Sequence, residues 1–245
     1  MKNISSVVHT QIIKLSAHLS LRYAPAWLSY IFVASKIKVL ADYAGMCPDQ
    51  DYQKFGTTFK KRLININRFI TSAEFAKHAK LWCGQVISKT DYKLLLRACN
   101  KIKNKKLRNA FSKTLKKINL KFKNSDKVIL LTNISLLIKL NKKSELNWII
   151  RFMLLHELIH ILLSKNKINF QRKNSKYWKY DEGLVTYCDF WLQRKLFLLE
   201  RKAVKFADKL EKWYYTYAIK FRDLLKNKNP VERKKAILRM YKKLQ

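Results

Sequence analysis

The spacing of apolar residues predicts a mostly helical chain with a short β segment near its middle. In the first ninety or so residues, apolar clusters such as Ala26–Leu28 and Ile31–Val33 favour helices. The segment Gly45–Asp49 combines glycine, proline and aspartate and predicts a break. Nothing in this half has the pattern of a catalytic or binding motif. Residues 1–100 are therefore interpreted as a helical N-terminal region without an assigned role.

The middle of the chain changes its hydrophobic period. Lys105–Lys117 has apolar residues at helical spacing and predicts a basic helix. Apolar and polar residues then alternate over Ile118–Lys123, turn-forming residues follow at Asn124–Asp126, and Val128–Leu131 is a second apolar run. This order predicts a β-hairpin, to which Ile134–Leu140 adds a third strand.

A long apolar segment predicts the helix at the centre of the fold. It begins near Ser144, a candidate N-cap, and over Phe152–Leu163 it is apolar on nearly every face, so it must be buried on nearly every face. A loop rich in lysine and asparagine separates it from a helix over Asp181–Leu199, and Pro230 marks the start of a later helix. We expect a predominantly helical α+β fold.

Composition agrees with this pattern and adds a strong charge. The chain has 245 residues, 48% of them hydrophobic, and only 4 glycines and 3 prolines, which favours long helices. It has 53 lysines and arginines against 16 acidic residues, a formal net charge of +37. Such a surface attracts nucleic acid or another polyanion. An A+T-rich genome would encode the same lysine-rich composition without any such partner, and the sequence does not decide between the two explanations.

Cysteine spacing and the N-terminus bear on location. The cysteines lie far apart without a CxxC pair, which argues against a zinc ribbon and a disulfide framework. The N-terminus has no continuous apolar core of a signal peptide, and the apolar stretch Tyr23–Ser35 is too short to span a bilayer. We expect a soluble, intracellular (cytoplasmic) protein without a transmembrane segment. The four cysteines are Cys47, Cys83, Cys99 and Cys188.

The most informative motif lies inside the apolar central helix. Residues 156–160 read HELIH, an HExxH motif. Positions i and i+4 share a helix face, so His156 and His160 can reach one metal ion while Glu157 stays free to take a proton from a metal-activated water. Chance placement is expected roughly three times in a thousand from this composition. Three polar side chains in such a buried helix also need partners, and a metal would provide them.

The third protein ligand is expected to be a carboxylate, since His9, His18 and His78 lie far upstream of the motif. A catalytic zinc usually takes three protein ligands and leaves one position for water. No histidine follows His160, and the first acidic residues after it are Asp181 and Glu182. Glu182 lies 22 positions beyond His160 (182 − 160), which leaves room for a loop and an antiparallel return.

At this point the sequence resembles a known group of enzymes. HExxH followed by a helix carrying DEGLVTY, residues Asp181–Tyr187, is similar to the gluzincin group of zinc metallopeptidases, which includes thermolysin-like and aminopeptidase-type families. The resemblance covers roughly residues 105–200 and is specific at about ten positions. The spacer differs from that of the best-known members, so no subfamily is assigned.

The resemblance implies a role for each motif residue. His156, His160 and Glu182 would bind one Zn²⁺ per chain, and Glu157 would be the general base in the hydrolysis of protein or peptide substrates. Residues 101–245 would form a zincin-like metallopeptidase domain, with a backing helix, a small sheet, the HExxH helix and the glutamate helix. The N- and C-terminal helices would be additions to that core.

Neighbouring residues have two interpretations each. Asp181 is interpreted as an N-cap in preference to a ligand, and Gly183 either packs closely against the motif helix or is merely tolerated. Thr186 and Asp189 could orient a ligand imidazole, or could be exposed. A tyrosine could stabilise the oxyanion, although packing is the better explanation for each one taken singly. The tyrosine candidates are Tyr187, Tyr214, Tyr215, Tyr217 and Tyr241.

Two functions therefore follow from the sequence. The first is a zinc-dependent metallopeptidase. The alternative is a basic nucleic-acid-binding protein in which the HExxH helix is structural or inactive, supported by the charge and by aromatic residues among the lysines. Replacement of Glu157 by glutamine would abolish hydrolysis in the first case and change nothing in the second.

Overall fold

The computed structural model describes residues 2–33, 84–132, 143–168, 170, 177–199 and 209–244. Within these ranges, seven α-helices and one three-stranded sheet confirm the predominantly helical α+β class. No helix in these ranges has both the length and the apolar content needed to cross a bilayer. The helices are α1 (Lys2–Leu19), α2 (Lys89–Asn100), α3 (Lys105–Lys121), α4 (Lys143–Lys165), α5 (Trp178–Leu192), α6 (Lys209–Leu225) and α7 (Pro230–Lys243), and the strands are β1 (Tyr30–Val33), β2 (Gly84–Ser88) and β3 (Lys127–Thr132).

The chain forms two compact units. One contains residues 1–25 and 150–245, and the other contains residues 26–149. The predicted division into residues 1–100 and 101–245 follows a different boundary and stays a prediction. The predicted break at Gly45–Asp49 lies outside the described residues.

The sheet of the second unit is built around strand β3. Its four apolar residues, Val128–Leu131, are completely buried, which confirms the predicted strand there. Strand β1 pairs with it in parallel, with Tyr30 opposite Ile129, and β2 pairs with its other edge in antiparallel orientation. A central strand covered on both faces is expected to be a continuous apolar run, as this one is. The segment Ile31–Val33, expected in a helix, forms β1 instead.

The predicted hairpin before β3 is wrong. Residues 118–121 continue helix α3, whose N-cap Asn104 accepts a hydrogen bond from the backbone of Leu107. The side chains of Phe111, Leu115 and Ile118 are buried at helical spacing, whereas Leu120 is 59% exposed. A strand would have placed Ile118 and Leu120 on the same face, so the helical period prevails over the short alternating pattern. The third predicted strand, Ile134–Leu140, lies outside the described residues.

From residue 150 onward, helix α4 belongs to the first unit and is largely buried. Ser144, the expected N-cap, lies inside this helix as its second residue. Buried apolar side chains occupy nearly every face of the segment from residue 150 onward, as its composition predicts. Helix α7 begins as expected at Pro230, and its start is closed by a capping box between Asn229 and Glu232. The buried residues of α4 are Ile150, Met153, Leu154, Leu155, Leu158, Ile159, Ile161, Leu162 and Leu163.

Gly183 allows helices α5 and α6 to approach closely. A Cβ atom at residue 183 would lie 2.3 Å from Cβ of Tyr217, far inside van der Waals contact. The sequence suggested close packing against the motif helix, but the helix that requires the glycine is α6. Helix α5 is also shorter than the predicted Asp181–Leu199, because it begins at Trp178 and ends at Leu192 before a 3-10 turn.

Candidate metal centre

Helix α4 carries the two histidines of HELIH on a partly exposed stripe. Phe152, His156 and His160 are spaced by four residues, and all three side chains are partly exposed while the flanking leucines and isoleucines are buried. The imidazole rings are 5.1 Å apart between centroids and inclined by 72°. The hydrophobic faces of α4 therefore fix the helix in the core, and the remaining stripe carries both imidazoles.

Helix α5 brings a carboxylate to both imidazoles. Glu182 Oε2 lies 3.4 Å from His156 Nε2, and Glu182 Oε1 lies 3.5 Å from His160 Nε2. One potential ligand atom from each of the three side chains falls within 4.8 Å of the others. The structure thus brings together the three residues that the sequence singled out, from two helices of the same unit.

These distances suit a small cation with nitrogen and oxygen ligands. With zinc–ligand bonds of about 2.0–2.1 Å in a tetrahedron, neighbouring ligand atoms are about 3.4 Å apart. The nitrogen–oxygen distances of 3.4 Å to Glu182 Oε2 and 3.5 Å to Glu182 Oε1 are close to that edge, and each imidazole faces a different oxygen of the carboxylate. Exposed fractions of 23% for His156, 15% for His160 and 17% for Glu182 leave the three groups sheltered but reachable. Three such ligands leave one tetrahedral corner for water or substrate.

A second carboxylate holds each imidazole by its other nitrogen. His156 Nδ1 donates to Asp189 Oδ2 at 2.7 Å, and His160 Nδ1 donates to Asp181 Oδ2 at 2.9 Å. These bonds keep the proton on Nδ1 and turn Nε2 toward Glu182, as metal-binding histidines require. Both aspartates are buried, although charged groups are seldom buried without partners.

The aspartate contacts decide two of the open interpretations. Asp189 orients His156, as one interpretation of the sequence suggested. Asp181 was expected to be an N-cap, and that expectation is wrong: it lies in the first turn of α5, after an N-cap at Tyr177 that makes no side-chain bond. For Thr186, one turn beyond Glu182, the structure gives no contact with either histidine.

Glu157 has the environment expected of a proton acceptor. Among the described residues it makes no hydrogen bond, so its carboxylate is not committed to another group. Burial raises its pKa, and the neighbouring His156 and His160 oppose that shift. A carboxyl group with a raised pKa binds a proton more readily than an exposed one, which suits general base and acid chemistry near neutral pH.

Carboxylates control the charge of the two imidazoles. Burial alone would lower the pKa of His156, but Asp189 and Glu182 outweigh it and raise the pKa to about 10. Burial also acts to lower the pKa of His160, and Glu182 and Asp181 raise it well above its ordinary value. For Glu182, burial would raise the pKa, but His160 and His156 hold it well below the usual range. The centre therefore favours positive charge beside its carboxylates, whether from protons or from a cation.

The candidate oxyanion-stabilising tyrosines all have packing contacts. The hydroxyl of Tyr187 lies 3.2 Å from His18 Nε2 on the far side of α5. The rings of the others contact aromatic partners: Tyr214 with Trp178, Tyr215 with Phe190, Tyr217 with Tyr180, and Tyr241 with Phe170. None of these contacts brings a hydroxyl to His156 or His160, so a tyrosine role in the chemistry stays a prediction.

Sequence reasoning missed the role of Asp181. The signal was present, because an aspartate immediately before Glu182 lies about 100° around the helix from it and can reach the outer side of the same pair of imidazoles. An acidic residue in the first turn of a helix is also what capping favours, and that more common explanation was preferred. Comparisons with family models, with curated proteins and with solved structures find no match to the chain.

Proposed function

We propose that the protein is a zinc-dependent metallopeptidase that hydrolyses peptide bonds through an activated water. The observation that carries this proposal is the convergence of His156, His160 and Glu182, whose ligand atoms lie within 4.8 Å of one another on two helices. A ligand set of two imidazoles and one carboxylate is that of several hydrolytic zinc sites. The free carboxylate of Glu157, on the same helix, supplies the remaining catalytic group.

The ligand types favour zinc over calcium or magnesium. Calcium and magnesium bind mainly oxygen, with six or more ligands, whereas this centre offers two nitrogens and one carboxylate. Each imidazole is oriented by its own aspartate, at 2.7 Å for His156 and 2.9 Å for His160. Such outer carboxylates make the ligating nitrogen more basic and fix the ring.

Each residue has a distinct task in the proposed hydrolysis. A bound Zn²⁺ would lower the pKa of a water molecule and polarise the scissile carbonyl. Glu157 accepts the proton of the attacking water and passes it to the departing amine nitrogen. Asp181 and Asp189 hold the imidazoles in the tautomer that leaves Nε2 free.

Peptides are the proposed substrate because the HExxH and DEGLVTY segments resemble those of gluzincin peptidases. The N₂O centre itself also suits other metal-assisted hydrolyses. The substrate class therefore depends on the resemblance, and the metal-dependent hydrolysis depends on the geometry.

The proposal is tested by comparing wild-type protein with Glu157→Gln. Hydrolysis of labelled casein and of a fluorogenic peptide library should fall by about 10²–10⁴-fold in this variant, because general acid–base catalysis contributes that much. Zinc content should stay the same, since Glu157 is not a ligand. Asp223→Asn serves as the matched control, because it neutralises a carboxylate that is 54% exposed and pairs only with the adjacent Arg222 among the described residues.

Two results would overturn the proposal. Equal hydrolysis by wild type and Glu157→Gln would remove Glu157 from the reaction. A zinc-loaded wild-type protein that cleaves no substrate in the peptide library would leave a metal site without peptidase activity.

A further inference from the structure

The unit formed by residues 26–149 carries a concentrated basic surface. Between residues 84 and 132 the chain has 14 lysines and arginines and only two acidic residues, Asp91 and Asp126. Asp91 is already used in the capping box of α2, where it accepts from the backbone and hydroxyl of Ser88. The charge of this region therefore has few internal partners.

Basic residues at every fourth position form one row along helix α2 and its C-cap. Lys89, Lys93, Arg97 and Lys101 are spaced by four residues, and all four side chains are exposed. At a rise of 1.5 Å per residue this row is about 18 Å long, and a duplex of that length presents roughly ten phosphate charges.

Helix α3 repeats the arrangement. Lys113, Lys117 and Lys121 are exposed at the same four-residue spacing, opposite the buried side chains of Phe111, Leu115 and Ile118. We call these seven side chains, from α2 and α3 together, the basic rows.

The two helices lie antiparallel, so the rows belong to one helical hairpin. Near one end, Cys99 Sγ approaches the carbonyl oxygen of Arg108 at 3.7 Å. Near the other end, the rings of Tyr92 and Phe122 meet edge to face at 5.8 Å between centroids. The beginning of α2 is thus beside the end of α3, and both helices share one core.

The spacing of the basic rows is unfavourable for the stability of a helix whose face is merely solvated. Like charges at i and i+4 destabilise a helix, whereas Glu–Lys pairs at that spacing stabilise it. None of the seven side chains forms an ion pair or hydrogen bond with another residue in the part of the chain that the structure describes. A local arrangement that opposes helix stability without an internal benefit points to a ligand that supplies the opposite charge.

We propose that the basic rows of α2 and α3 bind the phosphate backbone of a nucleic acid duplex without sequence preference. Exposed lysines in rows supply the non-specific, salt-dependent contact that phosphates recognise. A membrane surface fits less well, because an interfacial helix inserts a whole face of large apolar residues, whereas α2 and α3 expose one leucine each, Leu96 (39%) and Leu120 (59%). This surface is separate from the candidate metal centre and does not depend on it.

The test compares two variants that remove the same charge from different helices. The first is Lys113→Gln/Lys117→Gln/Lys121→Gln on α3. The matched control is Lys235→Gln/Arg239→Gln/Lys242→Gln, which removes three exposed charges from α7 in the other unit. Binding of the full-length proteins to a short labelled DNA duplex is followed by fluorescence anisotropy over a range of salt concentrations, and circular dichroism checks that each variant is folded.

The α3 variant should lose affinity for the duplex on the order of a hundredfold at about 0.1 M salt. The slope of log affinity against log salt concentration should become shallower by about 2.7 (3 × 0.9). The control should lose much less, and peptidase activity should not change in either variant. Equal losses in both variants would overturn the proposal in favour of general charge attraction. The proposal would also be overturned if the wild type did not bind the duplex. Tighter binding to phosphatidylserine vesicles or to polyglutamate than to the duplex would overturn it as well. If the α3 variant is unfolded, Lys89→Gln/Lys93→Gln/Arg97→Gln on α2 is judged by the same criteria.

Discussion

Replacing Gly183 with alanine should destabilise the protein, although alanine is the better helix former. Gly183 lies in α5, next to Glu182, at the point of closest approach to α6. In an exposed helix the substitution would stabilise by up to about 1 kcal/mol. Here the added methyl group has no room, so packing and propensity act in opposite directions and their magnitudes decide the outcome.

The structure sets the size of the packing penalty. The new Cβ would lie 2.3 Å from Cβ of Tyr217 and 3.0 Å from its carbonyl carbon, while ordinary contact begins at 3.4 Å. The helices must therefore separate by about 1.1 Å (3.4 − 2.3), because neither atom can rotate away. Overpacking of this kind costs about 1–3 kcal/mol. A displacement of 1.1 Å between backbone-proximal atoms puts the cost near the upper end of this range, so after a gain of about 1 kcal/mol in helix propensity the net loss is about 2 kcal/mol (3 − 1).

Thermal and urea unfolding of the wild type and Gly183→Ala measure this loss. For a chain of this size the melting temperature should fall by roughly 4–8 °C. The penalty should be smaller in a Tyr217→Gly background, which removes the closest atom. Zinc affinity should also fall, because a metal site tolerates shifts of only about 0.5 Å and Glu182 moves with its neighbour. A Gly183→Ala protein as stable as the wild type would refute the close approach of α5 and α6.

Three further predictions concern the histidines. Asp189→Asn should weaken zinc binding by about 10–100-fold, because the His156 ring loses the carboxylate that orients it. The affinity is measured by competition with a chelator, and an unchanged affinity would contradict a role in orientation. Zinc affinity should rise with pH in calorimetric titrations, because His156, with a pKa raised to about 10, and His160 must each lose a proton before they bind metal, and an affinity independent of pH would contradict this. Burial and the guanidinium of Arg233 lower the pKa of His18 to about 4. The unfolded chain then binds more protons than the folded one between pH 6.5 and about 4, so stability falls as the pH drops through this window. His18→Gln should flatten that dependence in urea unfolding, and an unchanged slope would assign it to other groups.

Elements whose apolar residues follow a regular pattern could be predicted from the sequence. The HELIH helix is apolar on nearly every face and is buried accordingly, and Val128–Leu131 forms the central strand. The Asn229–Pro230 start of α7 also follows from local capping chemistry. In each case the information lies within a few neighbouring residues.

Features that depend on residues far away in the sequence could not be predicted. Ile31–Val33 is a strand because it pairs with β3, about a hundred residues later, and its own pattern does not distinguish a strand from a buried helix. The same holds for Asp181, whose partner His160 is 21 residues away. The misassigned segment 118–121 is the opposite case, because a short local alternation there competes with the helical period of the preceding residues. The burial of Ile118 and the exposure of Leu120 decide for the helix.

Metal content of the purified protein tests the central claim most directly. Elemental analysis of the wild type, His160→Ala, Glu182→Ala and Glu157→Gln should find about one zinc per chain in the wild type and in Glu157→Gln, and none in the other two, since three ligands are needed to hold the metal. Zinc retained by Glu182→Ala, or a wild type that binds none when zinc is supplied, would contradict the three-residue metal centre.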